Sequence, residues 1–236
     1  MSPTASANSI IRSIPTAILT QLGVQLQEVT LKRNAILHEV GDKITHLYFP
    51  LKGVVSIFTL VERADAVESG VIGREGVVGT ILLANVPAFT RAQVQIAGTA
   101  VRMRSETFLK LYELSAPFRK AVLQFNAAFI AQIQQNVACN ILHDAKQRMC
   151  RWLLHATDRM DSSLLALTQE TLGVSIGAHR TTIIAAISSL EDDGILLHRR
   201  GKIEVLDRRR LIVGACECYR QVQSRYIDVF SHGSLS

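Results

Sequence analysis

Apolar residues recur along this chain in distinct rhythms, and each rhythm predicts a different element. From Gln25 to about Met103 they come in short runs, VTLKRNAIL, HLYFPLKGVVSIFTLV, SGVIG and RAQVQIAGTAVRM, separated by Gly, Asp, Asn and Pro turns. Many short strands at such spacing predict a barrel or sandwich, which readily encloses a small-ligand cavity. From Ala116 to His143 the rhythm lengthens. Phe118, Val122, Phe125, Phe129, Ile133, Val137, Cys139 and Ile141 advance mostly by three and four, which predicts one helix roughly 40 Å long at 1.5 Å per residue. A stripe on so long a helix needs a partner, and the polar run QIQQN argues against burial within one chain.

The most informative stretch is LTQETLGVSIGAHRTTIIAAISSL, Leu167 to Leu190. Thr168 is placed to N-cap a short helix carrying Leu172 and Ile176, and Gly177 stands where the chain must turn left-handed. A second helix, about Ala178 to Leu190, would bury Ile183, Ile187 and Leu190 and leave His179, Arg180, Thr181 and Ser188 off that stripe. Small Gly173 would let the two helices approach closely. This is a helix-turn-helix pattern, whose second helix enters the DNA major groove. Behind it, ILLHRRGKIEVLD predicts a hairpin with Arg199, Arg200 and Lys202 at its basic tip, which makes the arrangement a winged one. Arg180, with His179 and Thr181, is the expected base reader. Thr168, Gln169, Thr182, Arg199, Arg200 and Lys202 are the expected phosphate contacts.

Around these segments, residues 1–14 read as a loose leader, followed by a short helix from Pro15 to about Gly23. AKQRMCRWLLHATDRM reads as a helix with Trp152 and Leu153 inward, and LDRRRLIVGACECYRQVQSRYIDVF as one C-terminal helix with Leu211, Ala215, Cys218 and Val222 on a stripe. The tail from Ser231 is expected to be mobile. Net charge is +6, with 13 basic and 10 acidic residues in 1–144 and the same numbers in 145–236, so the shorter C-terminal part is the denser in positive charge. Cys139, Cys150, Cys216 and Cys218 show no metal-ligand spacing beyond a lone C-x-C and are expected to be idle thiols in helices, with no metal bound. His38 and His46 read as solvated or capping histidines rather than haem ligands. Gly70, Gly73, Gly76 and Gly79 lack the ending of a phosphate loop and read as turn glycines. With no nucleophile elbow or HExxH motif either, no enzyme is expected. No secretory signal and no apolar run of about 18 residues is visible, so a cytoplasmic location without membrane contact is expected.

GDKITHLYFPLKGVVSIF, in which Gly41, Asp42, Leu47, Tyr48, Lys52, Gly53 and Val55 match, resembles the cyclic-nucleotide-binding β-roll of the Crp/Fnr transcription regulators. Thr168, Gly173, Gly177, Arg180 and Thr182 match the helix-turn-helix of the same family. The resemblance spans about residues 10–207 and implies an α+β chain in three parts: a β-roll sensor over 1–115, a dimerisation helix over 116–143, and a winged helix-turn-helix with a C-terminal helix over 144–236. It implies a hinge at Asp144, double-stranded DNA as partner, a homodimer through 116–143, and a contact with RNA polymerase. It places the effector pocket at Gly79, Thr80, Arg91 and Ala92. There the sequence departs from cyclic-nucleotide binders, with Thr80 at the position of a ribose-binding glutamate and Ala92 at that of a hydroxyl residue. Arg74 adds a cation nearby. A cyclic nucleotide is therefore disfavoured as effector, and no cofactor is expected. The rival expectation is a sensor module whose helix-turn-helix does not bind DNA.

Overall fold

In a computed structural model, residues 7–22, 26–61 and 64–231 are described. Leader residues 1–6, Gly23 and tail residues 232–236 lie outside them. The leader is not loose from Asn8 onward. Ile10, Ile11 and Ile14 are buried, and the Asn8 amide donates to the carbonyls of Pro50 and Gly76, both at 2.9 Å, which fastens the segment across the core. Helix α1, Thr16–Gln21, follows Pro15, whose fixed φ suits a helix start.

The strand-rich region forms one antiparallel five-stranded sheet. Its strands are β1 (Gln27–Leu31), β2 (Ile36–His38), β3 (His46–Val61), β4 (Ala64–Ile72) and β5 (Arg91–Arg104). The order is β1-β5-β3-β4, with β2 also paired to β5. VTLKRNAIL is therefore two strands, divided at Asn34, which has φ 64°. Shifts of register along β3 and β5 bend the long strands so that the sheet curls around Leu47, Phe49, Val55, Val94 and Val101, the centre of the core. His38 is buried rather than solvated, and desolvation lowers its pKa.

Helix α2 (Ser105–Leu114), which the strand pattern does not announce, leads into α3 (Ala116–Leu142). The residues of the long helix fall on two faces. Phe118, Val122 and Phe125 pack into the sheet's own core, whereas Val137 and Ile141 point outward, so the single stripe read from the sequence merges an inner and an outer face. Of the four clustered glycines, Gly73 and Gly76 bracket a tight turn, with the Gly76 N–H bonded to the Gly73 carbonyl at 3.0 Å, while Gly70 lies within β4, and all three also admit close packing. A Cβ on Gly70, Gly73 or Gly76 would collide with Phe129, Arg159 or Phe125 respectively; among the four only Gly79 has positive φ, 104°.

Asp144 N-caps α4 (Ala145–Met160) in a capping box with Gln147, fixing the break after α3. Beyond it lie β6 (Leu164–Leu165), α5 (Gln169–Ile176), α6 (Arg180–Asp192), β7 (Leu196–Arg199) and β8 (Lys202–Val205), the strands forming a small sheet of order β6-β8-β7. The expected single C-terminal helix is two, α7 (Arg208–Gly214) and α8 (Cys218–Ser231). The chain is extended at Ala215, so Cys216 lies between helices and not within one. Gly214 is a poor helix former, and its α-carbon abuts Cys150, where a Cβ would lie 3.4 Å from the sulfur. Helix α8 then runs antiparallel along α3. Cys218 receives a hydrogen bond from Gln135, the Tyr226 hydroxyl one from Gln132, and the Val229 carbonyl one from Gln124. Tyr226 and Phe230 reach the core of the roll.

Candidate nucleic-acid interface and the expected effector residues

Helix α5 begins where Thr168 accepts from the Thr171 backbone N–H at 3.2 Å, and it ends at Gly177 with φ 61°. Ala178 N–H bonds back to the Gly173 carbonyl, 3.0 Å, and a Cβ on Gly173 would sit 3.1 Å from the Ala178 oxygen. The glycine therefore sets how closely the turn folds over the helix. Helix α6 starts two residues later than the sequence pattern places it. Ile183, Ile187 and Leu190 are buried against Trp152, Leu153 and Leu172, and this leaves one face of α6 free.

On that face His179, Arg180, Thr181 and Thr182 are all exposed at the first turn. No side chain caps this turn, so its backbone N–H groups remain available to an anion. The wing has a two-residue turn at Arg200 and Gly201, the latter with φ 73°, and Arg199 pairs in register with Lys202. A shallow cleft of about 570 Å³ joins Thr168 and Gln169, the start of α6 at His179 and Arg180, and Arg200 at the wing tip. His198 also lines it; strand alternation along β7 was the only sequence signal for that residue. Of the expected contacts, Thr168 is already engaged, since its hydroxyl receives the Arg33 guanidinium of the roll at 3.3 Å.

The expected effector residues do not converge on an open anion site. The Arg91 Nε lies 2.8 Å from a Glu39 carboxylate oxygen, so its charge is balanced from within the chain. The Thr80 hydroxyl donates to Asn126 on α3 at 2.9 Å, and Ala92 is fully buried. Arg74, expected beside Arg91, faces Asp161 at 3.9 Å.

The roll and the winged part share a core, in which Val54, Val71 and Ile96 of the sheet pack with residues of α4 and α5. Glu68 on β4 is buried there, accepting from Ser56 at 2.5 Å and from the Trp152 indole N–H at 2.9 Å. Burial pushes its pKa up to about 7, against the hydrogen bonds that favour the carboxylate. A raised folded-state pKa means stability that is present below pH 4.5 and lost as pH rises through about 7. Replacing Glu68 with glutamine should remove that fall and raise stability above pH 7 by roughly 3 kcal/mol, read from urea melts at several pH values; an unchanged pH profile would refute it. His155 acts with the opposite sign. Burial, and then Arg159 and Arg151, hold its pKa well below 6.5, so its contribution is present above 6.5 and lost on acidification.

Such a chain has the two parts of a transcription regulator, a β-roll carrying a winged helix-turn-helix. Residues 28–115 match the cyclic nucleotide-binding domain and residues 147–212 the Crp-like helix-turn-helix domain. The chain belongs to the Crp/Fnr family of transcription regulators. Its fold is similar to that of FixK2 from Bradyrhizobium japonicum, with 14% identity, TM-score 0.67, and 82% of this chain and 98% of that one covered. It is also similar to a crp/fnr-family putative transcriptional regulator from Eubacterium rectale, with 17% identity, TM-score 0.67 and coverage of 91% and 99%. A CRP-family regulator from Thermus thermophilus gives 16% identity, TM-score 0.68 and coverage of 79% and 96%. At these identities the likeness concerns the fold. No curated protein sequence matches the chain significantly. Proteins of this family are regulators and generally not enzymes, and among the described residues no helix is long and apolar enough to cross a membrane.

Proposed function

We propose that the protein binds a palindromic DNA site as a homodimer in the cytoplasm, each protomer placing α6 in a major groove and setting RNA polymerase contacts from the bound position. The observation that carries this reading is the cleft in which His179 and Arg180 stand beside Arg200 at the wing tip, with Thr181 exposed next in the chain. A guanidinium at the first turn can give two parallel hydrogen bonds to guanine O6 and N7, while His179 and Thr181 flank it. Thr182, Gln169, Arg199, Arg200 and Lys202 hold phosphates around them, as does the Thr168 end of α5. The dimer is supported by the outer face of α3, where Leu123, Ala127, Ile130, Gln134, Val137 and Ile141 are all exposed at alternating spacings of four and three. Control by a cyclic nucleotide is disfavoured, because Glu39 occupies Arg91 and Thr80 offers no carboxylate to a ribose diol.

The test is selection of random duplexes by the purified protein with and without cyclic AMP, followed by titration of the winning site. Arg180→Ala should lose about 5- to 150-fold in affinity, the equivalent of roughly 1–3 kcal/mol, and relax preference at one base pair of each half-site. Lys202→Ala should weaken all sequences alike and flatten the salt dependence. Enrichment only with the nucleotide would overturn the effector reading, and none in either condition the DNA reading.

A further inference from the structure

Three cysteines and a histidine distant in sequence meet where α3, the segment after α7 and the start of α8 come together. The donor atoms of Cys139, His143, Cys216 and Cys218 all lie within 4.8 Å of one another. Cys139 lies in the last turn of α3 and His143 is the extended residue that caps it, its N–H bonded to the Cys139 carbonyl at 3.1 Å, while Cys216 comes from the break between α7 and α8 and Cys218 opens α8. The three cysteines are buried, at 0%, 4% and 0% exposure, and form a cluster separate from both hydrophobic cores.

We propose that these four residues bind one thiophilic divalent metal ion of the zinc class, clamping the C-terminal helix to the end of the long helix beside Asp144. The donor set, three thiolates and an imidazole, is that of a closed tetrahedral structural site. A tetrahedron with metal–sulfur and metal–nitrogen bonds of about 2.3 and 2.0–2.1 Å has edges of roughly 3.5–3.8 Å. Two edges are already in place: Cys139 Sγ to Cys216 Sγ is 3.5 Å and Cys218 Sγ to His143 Nδ1 is 3.6 Å. The surroundings are those of a ligating set. With Nδ1 on the metal, His143 Nε2 carries the proton and donates toward a Glu217 carboxylate oxygen 3.3 Å away, the carboxylate–histidine pairing that orients a ligand imidazole. The Gln135 side-chain N–H donates to Cys218 Sγ at 3.0 Å.

The nearby Arg151 guanidinium offsets part of the site's negative charge. Three thiolates and one M²⁺ leave a net charge of −1, with the thiol protons released to solvent on binding. An iron–sulfur cube would interpose its own iron and sulfide atoms and hold the thiolates further apart than this set stands. A bare Cys139–Cys216 disulfide would leave the His143–Glu217 pair and the Gln135 contact without a purpose.

The experiment uses full-length protein, reduced and stripped with a chelator, then titrated anaerobically with Co²⁺. The expected result is one equivalent per chain, with the intense visible bands and thiolate charge-transfer absorption of tetrahedral cobalt, both displaced by one equivalent of Zn²⁺. Cys218→Ser and His143→Ala should abolish or shift those bands. Glu217→Gln should weaken affinity about 10- to 100-fold while keeping the spectrum. Cys150→Ala, outside the cluster, should titrate as the parent does. The parent titration does not depend on how any variant folds. Absence of tetrahedral cobalt bands in the parent would overturn the proposal. So would bands that survive loss of Cys218 and His143 together, or a Cys139–Cys216 disulfide in aerated protein that excludes zinc.

Discussion

Ile130→Asp is expected to turn the dimer into a folded monomer and to lower affinity for the palindrome on the order of 10²–10⁴-fold, the advantage that two linked half-site contacts provide. Ile130 is 55% exposed, with Leu123 at 52%, Val137 at 58% and Ile141 at 77% on the same face. None of these side chains supports the protomer's own core, which α3 serves through Phe118, Val122 and Phe125. The spacing of four and three along the outer face is that of a helix supercoiled about a second copy, and Gln134 in its middle is a polar member of the kind that fixes register. A buried aspartate facing its symmetry mate carries two uncompensated charges into an apolar seam. Sedimentation should show the change in mass, circular dichroism an unchanged helix content, and titration of the selected duplex the loss of affinity. A variant that remains dimeric at micromolar concentration would place the interface elsewhere.

Glu75→Ala should cost about 3–5 kcal/mol of stability, the penalty for removing one partner of a buried ion pair. Arg159 of α4 is only 6% exposed, and its Nη2 and Nε lie 2.7 and 2.9 Å from one Glu75 carboxylate oxygen. Its remaining Nη1 donates to the His155 carbonyl at 3.0 Å. Without the carboxylate the guanidinium is left charged beside the apolar sheet, and it cannot deprotonate to escape. The double variant Glu75→Leu with Arg159→Met should recover much of the loss, because hydrophobic replacement of both partners avoids the stranded charge. Urea unfolding of the two variants measures both effects; a loss below about 1 kcal/mol for Glu75→Ala, the level of an exposed pair, would contradict the assignment.

The helix-turn-helix was legible because its determinants are local. Thr168, Gly173 and Gly177 act within ten residues of one another, and the wing needs only two short runs around Arg200 and Gly201. The same holds for the long strands and for the extent of α3. What escaped the sequence depends on distant partners. Asn8 anchors the leader through carbonyls 42 and 68 residues away, and Cys139 meets Cys216 across 77 residues. Gly73 and Gly76 are the turn punctuation they look like, but Gly70 lies within a strand, and the rings of α3 and the Arg159 stem that pack over all three are not visible in the sequence. A helical stripe likewise does not say which neighbour it serves, so α3 reads as one face where the folded chain has two. Around the effector pocket, the sequence marks Thr80 and Ala92 as departures, but the pairing of Arg91 with Glu39 appears only when β2 and β5 are side by side.

Because α8 returns along α3 to the roll, the DNA-reading part is suspended at both of its ends. A chain that stopped after the wing would keep only the joint at Asp144 and the core shared with the sheet to hold that part. Here the outgoing and returning connections run side by side, and any rotation of the wing and recognition helix must be accommodated by both. It must also disturb the core that Val54, Val71 and Ile96 of the sheet share with α4 and α5, so the winged part is tied to the roll along three routes at once.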